Sequence, residues 1–460
     1  MSKKDIFNFE LSERKLLLRL FDVAIIIINS IGLNYFFKNT YIYFSNQFVL
    51  WLTTYVLYFL FFGTVFELYV LKKAESRFKV FQNLILSIGV TTLVYVFTPF
   101  ITPELPPNRL VILTVFSSNL VLLTLWRFAY ITFINSPRFY KRVFFVGESY
   151  DIDQIQKELN RFDPNYDIRG YVDTDPKKKS SKQVKRYPIG ELDSSLKSLY
   201  IDEIVVANSY KGVNEELYKI LSPLLKEGIP IRAYSKVYED ITKRILVKDA
   251  STDFYCYFPF NRSNQNKLYL SINRLLDILL SVIGLVFLGA LIPVIVIVNL
   301  FLNKGPLFYT QYRVGKGSKN FKIKKLRTMV SNAEKNGAQW ATANDKRITR
   351  FGRFLRVTRL DELPQFVNIL IGEMSVIGPR PERPEFIKNL KESIPFYETR
   401  HIIKPGLTGW AQVNAKYASS SDETLQKLQY DLYYIKERSL YLDFRILVKT
   451  ISTIIFFRGQ

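Results

Sequence analysis

Two adjacent carboxylates, Asp361 and Glu362, follow a run of arginines in the C-terminal part of the chain. Pro364 comes two residues later and suits the first turn of a helix, so the sequence predicts both carboxylates at a helix N terminus. There the helix dipole and nearby cations would keep a carboxylate ionised and attract phosphate. An ionised aspartate can attack phosphorus, and a second carboxylate can hold a magnesium ion. Acidic residues also occur at helix starts simply as caps, so the pair alone leaves both interpretations open.

Two stiff loops downstream of this pair supply candidate ligands for phosphate. Residues 372–381 end in a Gly-Pro-Arg-Pro turn that contains Arg380, and Arg383 follows it. Residues 404–414 form a second loop, which is rich in glycine and contains Trp410. Proline restricts the backbone, and arginine presents a planar fork that matches phosphate oxygens. Ordinary surface turns are the alternative, and the closeness of the three segments in the chain argues against it.

The segment before the acidic pair is strongly basic, with cations from Arg313 to Arg359 and few acids between them. Its end, residues 349–359, predicts an amphipathic helix with Phe351, Phe354 and Leu355 on one stripe. Such a helix is suited to the headgroup region of a membrane. The alternative is a helix that packs on its own core and exposes a basic face.

Four apolar segments in the first third of the chain are long enough to cross a bilayer, at about residues 16–36, 48–70, 80–100 and 110–134. The first lacks a small-residue cleavage site, which favours a span over a signal peptide. Cations concentrate before the first segment, between the second and third, and after the fourth. The positive-inside rule therefore predicts a cytoplasmic N terminus and a cytoplasmic location for everything after Arg138.

A fifth apolar segment, residues 275–302, contains Pro293 and has basic residues on both flanks. A through-going helix would export one of these flanks, against the charge rule. Proline kinks a helix, so we predict a re-entrant helix of about residues 271–302 that breaks near Pro293 and returns to the cytoplasmic side. A fifth ordinary span is the alternative.

The middle of the chain predicts a parallel α/β domain. Strands are expected at residues 142–147, 168–172, 203–207 and 229–233, with helices at 152–160 and 214–226. The first turn, Gly147-Glu148-Ser149, lacks the additional glycines of a dinucleotide fingerprint. A structural or regulatory domain is therefore favoured over a cofactor site. Lysines at 177–179 indicate a solvated loop, with a phosphate site as the weaker alternative.

Composition limits the class of protein. The chain has 460 residues, and its 64 Lys and Arg against 41 Asp and Glu leave a net charge of +23. Apolar residues make up 48%, which excludes a disordered chain. A single cysteine, Cys256, excludes an internal disulfide and any multi-cysteine zinc site. The positive charge beside long apolar segments indicates an anionic membrane surface and phosphorylated ligands more than nucleic acid.

From about residue 267 to the end, the chain resembles the bacterial sugar transferases, the monotopic phosphoglycosyl transferases. The blocks that carry the resemblance are QYRVG at 311–315, KLRTM at 325–329, NDKRIT at 344–349, DELPQ at 361–365, GPRP at 378–381, KPGLTGW at 404–410 and YDLYY at 430–434. The four N-terminal segments and the α/β domain resemble the long-form members, which are polyprenyl-phosphate hexose-1-phosphate transferases.

The resemblance implies three parts: four transmembrane helices at 1–137, a cytoplasmic Rossmann-like α/β domain at 138–250, and a mainly helical catalytic domain with the re-entrant helix at 251–460. It also implies a bacterial inner-membrane protein with its catalytic domain on the cytoplasmic face, and a homodimer. Its activity would be the first membrane step of exopolysaccharide, capsule or O-antigen synthesis. Two positions depart from the family pattern, namely Glu373, where Asp is common, and Ala415, where Gly often stands.

The family chemistry implies roles for individual residues. Asp361 would attack the sugar-bearing phosphate of a UDP-sugar and release UMP, and the phosphosugar would then pass to undecaprenyl phosphate. Glu362, together with Asp361, would position Mg²⁺. The implied substrate-binding cations are Arg313, Lys325, Arg327, Arg380 and Arg383.

Three other functions compete with this interpretation. A non-catalytic membrane scaffold or regulator of polysaccharide assembly predicts a lost acidic pair, and here Asp361 and Glu362 are both present. A nucleic-acid-binding membrane protein predicts a basic groove with stacking aromatics, whereas these cations flank apolar segments. A phosphatase would use water as the acceptor, and this alternative stays open.

Overall fold

The computed structural model describes residues 11–37, 40–70, 77–134, 141–147, 151–163, 165–173, 181, 183–188, 199, 201–207, 219, 221–222, 225, 228–247, 264, 266–333, 345–415 and 421–455. The chain forms two compact units, residues 1–237 and residues 238–460. The sequence predicts a domain boundary at residue 250. In the structure, residues 238–247 already group with the second unit. They do so because their side chains pack there, with Ile245 and Val247 in the same apolar cluster as Trp410 and Leu428.

The first unit begins with four long helices at the predicted positions. They are α1 (Leu11–Phe36), α2 (Phe48–Val65), α3 (Arg77–Val96) and α4 (Leu110–Ile134). Each is long and apolar enough to cross a membrane, as is one further helix among the described residues. The prediction of four apolar spanning helices in this part of the chain is confirmed.

Polar side chains lie between these helices as well as apolar ones. Asn29 of α1 donates to Asn119 of α4 at 2.9 Å. Asp22 of α1 and Arg127 of α4 form a buried ion pair with a nitrogen–oxygen distance of 2.5 Å. Polar groups inside a helical bundle are costly unless they find partners, so these pairs specify how α1 packs on α4.

The first unit continues with a four-stranded parallel sheet in the order β2-β1-β3-β4. Its elements are β1 (Lys141–Gly147), α5 (Ile152–Phe162), β2 (Tyr166–Asp173), β3 (Glu203–Ala207) and β4 (Ile231–Ala233). The buried side chains Phe144, Val146, Val172 and Ile204 form its core. The predicted strands and the first predicted helix are confirmed, and most of the helix predicted at 214–226 lies outside the described residues, as do the lysines at 177–179. Helix α6 (Tyr234–Thr242) follows β4.

The second unit contains a 36-residue helix, α7 (Lys267–Leu302). Its buried residues recur at helical spacing from Tyr269 to Asn299, which places one stripe of the helix against the rest of this unit along its whole length. The opposite side exposes large apolar side chains such as Ile283, Phe287 and Ile297. The helix continues through Pro293, so the structure has one helix here and not two separate arms.

The remaining elements of the second unit are short. They are β5 (Phe308–Val314), β6 (Asn320–Leu326), α8 (Arg350–Val357), α9 (Gln365–Ile371), β7 (Ser375–Ile377), α10 (Pro384–Ser393), β8 (Gly406–Thr408), α11 (Trp410–Asn414), α12 (Ser421–Glu437) and α13 (Leu440–Ile455). β5 and β6 form an antiparallel hairpin, and β7 pairs with β8 in parallel. The prediction of a mainly helical second part is confirmed.

Helix α8 corrects one expectation. Phe351 and Leu355 are buried in a cluster with Leu326 and with Ile295 of α7, whereas Phe354 is 55% exposed. The predicted stripe therefore does not face lipid headgroups as a whole. Apolar side chains of α7 cover two of its three members, which is the alternative of a helix packed on its own core.

Candidate active site

Asp361 and Glu362 lie in a single turn of 3₁₀-helix, Leu360–Glu362, just before α9. The turn begins after Arg359, whose φ of 62° places it in the left-handed region. Pro364 is the cap of α9, so the carboxylates precede the helix and do not belong to its first turn. This differs slightly from the prediction, because the left-handed residue redirects the chain between α8 and α9. Both carboxylate residues are buried.

Glu362 is surrounded by cations. Its Oε1 accepts from the Lys325 ammonium at 3.1 Å and from the Arg380 guanidinium at 3.2 Å, and Arg359 approaches its Oε2 to 3.5 Å. Burial alone would raise the pKa of Glu362, but Lys325, Arg380 and Arg359 together hold it well below its usual range. Glu362 is thus a fixed negative charge that gathers cations from three separate segments.

Asp361 has a different environment. Burial and the neighbouring charge of Glu362 raise its pKa to about 6, against the opposing effect of Lys325, Arg356 and Arg359. Among the described residues no side chain donates a hydrogen bond to its carboxylate. Asp361 is therefore ionised at neutral pH and is available for a reaction.

The Gly-Pro-Arg-Pro loop follows β7 and passes very close to the Trp410 loop. An added Cβ at Gly378 would collide with the backbone of Lys404, and one at Gly406 or Gly409 would collide with the backbone of Gly378. These glycines are therefore required by the close approach of two backbones, which pairs β7 with β8. The pairing explains why both glycine-rich motifs belong to one site.

The same loop is held by hydrogen bonds to its carbonyl oxygens. The Gly406 amide donates to Pro379 O at 2.8 Å, and the Val314 amide donates to Glu382 O at 3.0 Å. Arg313 donates to Pro381 O at 3.2 Å. Burial lowers the pKa of Arg313 to about 10, with Glu382 opposing the shift. Arg313 thus supports the loop and lies among the predicted cations at the same time.

The predicted cations separate into two groups. Lys325 interacts electrostatically with the acidic pair, Arg380 and Arg313, and Arg313 in turn interacts with Arg380 and Arg383. Arg327 does not belong with them, because its guanidinium donates to Pro306 O at 2.6 Å and to Asn303 Oδ1 and Met329 O. These bonds hold the segment that follows α7 and support a structural role for Arg327, whose role as a substrate-binding cation stays a prediction.

Sequence reasoning gave no role to two buried residues that support the site. Asn368 of α9 donates to Lys322 O at 2.8 Å and to Glu373 Oε2 at 2.7 Å. It also accepts from the Lys324 amide, which ties the strand of Lys325 to the helix that follows the acidic pair. Asp277 of α7 accepts from the Val376 amide at 2.8 Å and so anchors β7. Asn368 and Asp277 are each a polar side chain inside an apolar segment of the sequence. That position is the signal that could have identified them.

The donor set fits a magnesium ion only in part. The described residues contain no group of three or more His, Cys, Asp or Glu side chains that could hold a metal. Magnesium is usually held by one or two carboxylates together with substrate phosphates. Asp361 can serve as such a carboxylate. The oxygens of Glu362 already face three cations, so the expected role of Glu362 as a metal ligand has no support in this geometry.

Taken together, these groups place an ionised carboxylate, Asp361, beside an excess of cations. Lys325, Arg359 and Arg380 carry three positive charges, and Asp361 and Glu362 carry two negative ones, which leaves a charge of +1 before Arg313 and Arg383 are counted. Such a site attracts a phosphorylated ligand and presents a nucleophile to its phosphorus.

Comparison with known proteins identifies sequences that this chain resembles. Residues 268–457 match the family described as bacterial sugar transferase. The chain is 40% identical over 227 residues to the UDP-N-acetylgalactosamine-undecaprenyl-phosphate N-acetylgalactosaminephosphotransferase of Aeromonas hydrophila, which covers 49% of this chain and 52% of that protein. It is 42% identical over 190 residues to the UDP-glucose:undecaprenyl-phosphate glucose-1-phosphate transferase of Xanthomonas campestris pv. campestris, covering 41% and 39%.

The UDP-glucose:undecaprenyl-phosphate glucose-1-phosphate transferase of Caulobacter vibrioides is 34% identical over 184 residues, which covers 40% of this chain and 69% of that protein. The chain thus spans about half or less of the length of the first two relatives and more than two thirds of the third.

Proposed function

The chain belongs to the bacterial sugar transferase family, and from that membership we propose that it transfers a hexose-1-phosphate from a UDP-sugar to undecaprenyl phosphate. The observation that carries this proposal is the position of Asp361 next to three cations gathered by Glu362. The Asp361 carboxylate is ionised at neutral pH and accepts no side-chain hydrogen bond among the described residues. The names of the relatives supply the two substrate classes.

The first step uses Asp361 as the nucleophile. One carboxylate oxygen attacks the phosphorus that bears the sugar, the bond from this phosphorus to the bridging oxygen breaks, and UMP leaves with the bonding electrons. Negative charge shifts to the leaving phosphate during this step. Arg380 and Lys325 are placed to stabilise this charge, because both already converge on Glu362 beside the nucleophile.

The second step regenerates the enzyme. A phosphate oxygen of undecaprenyl phosphate attacks the phosphorus of the phosphosugar–Asp361 intermediate, and the Asp361–phosphorus bond breaks. The product is a diphosphate-linked lipid sugar. Because each step is a displacement at phosphorus, the same cations serve both, and no other nucleophile is required.

Magnesium would be held by Asp361 and by the diphosphate of the nucleotide sugar, and it would supply charge neutralisation at the reacting phosphates. Glu362 would act through the cations it holds. Its ion pairs with Lys325 and Arg380 support this division of roles.

The contacts of α7, which is continuous through Pro293, support a topology in which this helix enters the membrane from one side and does not cross it. Its first turns are tied to this unit by Tyr269, which donates to Asp443, and its end is tied by Asn303, which donates to Arg327 O at 2.9 Å. We propose that both ends therefore lie on the cytoplasmic side, where nucleotide sugars and the inner lipid headgroups meet. A helix of 36 residues is about 54 Å long, well over the roughly 30 Å of a bilayer core.

The test of the function uses membranes that contain the full chain. Radiolabelled UDP-sugars should transfer label to undecaprenyl phosphate in these membranes. Labelled UMP should exchange into UDP-sugar when the full chain has been purified in detergent away from the lipid acceptor. Exchange is the specific signature of a two-step route. Lipid labelling without exchange would contradict the covalent intermediate, and the absence of both would favour a scaffold.

Topology is tested by cysteine labelling in intact cells. With Cys256→Ser as the background, single cysteines at Asn264 and Ser318 should react with an impermeant maleimide only after the membrane is opened. A cysteine at Phe100, between α3 and α4, is the positive control that should react from outside. Labelling of Ser318→Cys from outside would show a true fifth span and reject this orientation.

A further inference from the structure

Arg400 is a buried arginine that lies outside the set of cations around Asp361. It belongs to a 3₁₀-helix, Tyr397–Ile402, and is only 6% exposed. One of its terminal nitrogens donates to the Tyr397 hydroxyl at 2.6 Å. The other donates to Asp431 at 2.8 Å and to the carbonyl oxygen of Arg380 at 2.9 Å.

The bond to Arg380 O adds to the support of the Gly-Pro-Arg-Pro loop and the residue after it (the phosphate loop, residues 378–382). Carbonyl oxygens of Pro379, Pro381 and Glu382 accept from Gly406, Arg313 and Val314, respectively. Arg400 is the fourth donor to this loop. Of the other three, Gly406 and Val314 donate from backbone amides, and Arg313 is itself among the cations predicted to bind substrate. Arg400 differs, because its hydrogen bonds go to Tyr397 and Asp431 in the protein interior and to this one carbonyl. The Glu382 carboxylate lies 4.0 Å from the same guanidinium.

Asp431 and Tyr397 fix the orientation of the Arg400 guanidinium. Both are buried, and Asp431 belongs to α12, whose side chains form the core of this unit. The carbonyl oxygen that Arg400 holds belongs to Arg380, whose own side chain donates to Glu362 at 3.2 Å. The chain of contacts therefore runs from the core, through Arg400, to the backbone that aims Arg380 at the acidic pair.

We propose that Arg400, oriented by Asp431, is a positioning residue that sets the direction in which Arg380 points into the active site. This inference rests on the proposed transferase function. The hydrogen bonds of Arg400 go to Tyr397, Asp431 and Arg380 O, so its proposed role is indirect. Its effect is the placement of Arg380 in the geometry that phosphorus displacement needs, where a shift of about 1 Å can lower the rate about 100-fold.

An arginine is needed at this position for a geometric reason. The guanidinium is a rigid plane whose terminal nitrogens can donate to three acceptors in fixed directions at once. Lysine has one flexible ammonium group that keeps the charge opposite Asp431 but does not hold Arg380 O and Tyr397 in the same plane. Arg400→Lys therefore keeps the positive charge opposite Asp431 but removes the fixed directions of the guanidinium hydrogen bonds.

The experiment is a double-mutant cycle on the rate of UMP exchange into UDP-sugar, with the full chain in membranes. Arg380→Ala is expected to lower this rate about 100-fold, as the loss of one charge-stabilising donor does. Arg400→Lys should lower it about 30-fold. If Arg400 acts through Arg380, then adding Arg400→Lys to Arg380→Ala should lower the rate by no more than about threefold, because the two changes remove the same interaction.

A merely structural role for Arg400 predicts a different result. Loss of folded protein would lower the rate by the same factor with or without Arg380, so multiplied losses in the double variant would overturn the proposal. If Arg400→Lys does not accumulate as folded protein, the cycle is repeated with Asp431→Asn, which keeps the shape of the side chain. Multiplied losses of rate in the double variant with Arg380→Ala would again overturn the proposal.

Arg438→Lys is the matched control. Arg438 is also buried, and its guanidinium packs against Tyr269 at 5.3 Å and Tyr434 at 5.6 Å, with no contact to the phosphate loop. Its exchange rate should stay within about twofold of the wild type. A wild type without any exchange would remove the proposed function and this inference together, whereas an active wild type with multiplied losses would remove the inference alone.

Discussion

Asp22 and Glu362 are both buried carboxylates, one between the helices of the first unit and the other in the candidate active site of the second. Asp22 has one ionic partner among the described residues, Arg127, at 2.5 Å. Glu362 has three, at 3.1, 3.2 and 3.5 Å, and a second carboxylate directly beside it in the chain. The first arrangement is neutral as a pair, and the second retains positive charge.

This difference separates a structural ion pair from a site for an anion. A neutral pair satisfies itself, and breaking it leaves one buried charge without compensation. Three cations around one carboxylate repel each other unless another negative group is present. In the second unit Asp361 and a bound phosphate would supply that charge. We therefore expect substitutions at Asp22 to affect stability and substitutions at Asp361 or Glu362 to affect catalysis.

The largest effect is expected at the nucleophile. Asp361→Asn should lower transfer and UMP exchange more than about 100-fold, because the amide keeps the shape but cannot attack phosphorus. Exchange assays in membranes measure the rate, and thermal unfolding in detergent measures folding. Asp22→Asn is the comparison variant, and its folded fraction should transfer at the wild-type rate. More than about one per cent residual activity in Asp361→Asn would reject the covalent route.

Removal of magnesium should also abolish transfer, but reversibly. Asp361 is the carboxylate of the site that can hold the ion, and the diphosphate requires neutralisation before attack. EDTA should stop UMP exchange, and added Mg²⁺ should restore it. Full activity in the presence of the chelator would show that Lys325, Arg359 and Arg380 suffice as the neutralising groups.

Glu362→Gln should have an intermediate effect, about a 100-fold loss of exchange rate. The change removes the charge that gathers Lys325 and Arg380, and it also removes the charge that raises the pKa of Asp361. The acid limb of the pH–rate profile should therefore move to lower pH as the rate falls. An unmoved acid limb would contradict the electrostatic coupling of the two carboxylates.

In the wild type, the exchange rate should depend on the ionisation of Asp361. Its pKa is raised to about 6, and only the deprotonated form attacks, so the rate should rise about tenfold per pH unit below 6 and level off above it. Initial rates across buffers of constant ionic strength measure this. A flat profile between pH 5 and about 7 would show that another group limits the rate.

The smallest effect on catalysis is expected from the ion pair in the first unit. Arg127→Leu leaves Asp22 buried without its partner and should destabilise the protein by about 3 kcal/mol or more, while the transfer rate of the folded fraction stays within about twofold. Replacing both residues by leucine should restore most of the stability. A loss of transfer in the double variant, with stability restored, would mean that this pair contributes to function and that the contrast with Glu362 is wrong.

Most elements could be predicted from the sequence because each has a local signal. The four apolar helices and the parallel strands follow from run length and periodicity, and the acidic pair follows from its neighbours. The surroundings of the apolar side chains of α8 could not be predicted in the same way. Its basic and apolar pattern suits lipid or protein equally, and only the packing of Ile295 against Phe351 and Leu355 decides between them.

The division of roles among the arginines was also beyond the sequence. Arg327 and Arg380 stand in equally basic motifs, yet Arg327 binds the segment after α7 and Arg380 binds Glu362. A guanidinium takes its role from the acceptors within about 3 Å of it, and these come from distant parts of the chain. Composition and spacing do not contain that information.

The sequence by itself determined the class of this protein, because apolar run length, charge asymmetry and the DELPQ and GPRP motifs are local properties of the chain. It also identified Asp361 as the candidate nucleophile. Only the tertiary structure decided which cations surround Glu362, that α7 packs along its length on one unit, and that Arg400 holds the backbone of Arg380. These features depend on contacts between residues far apart in sequence, and such contacts exist only once the chain has packed.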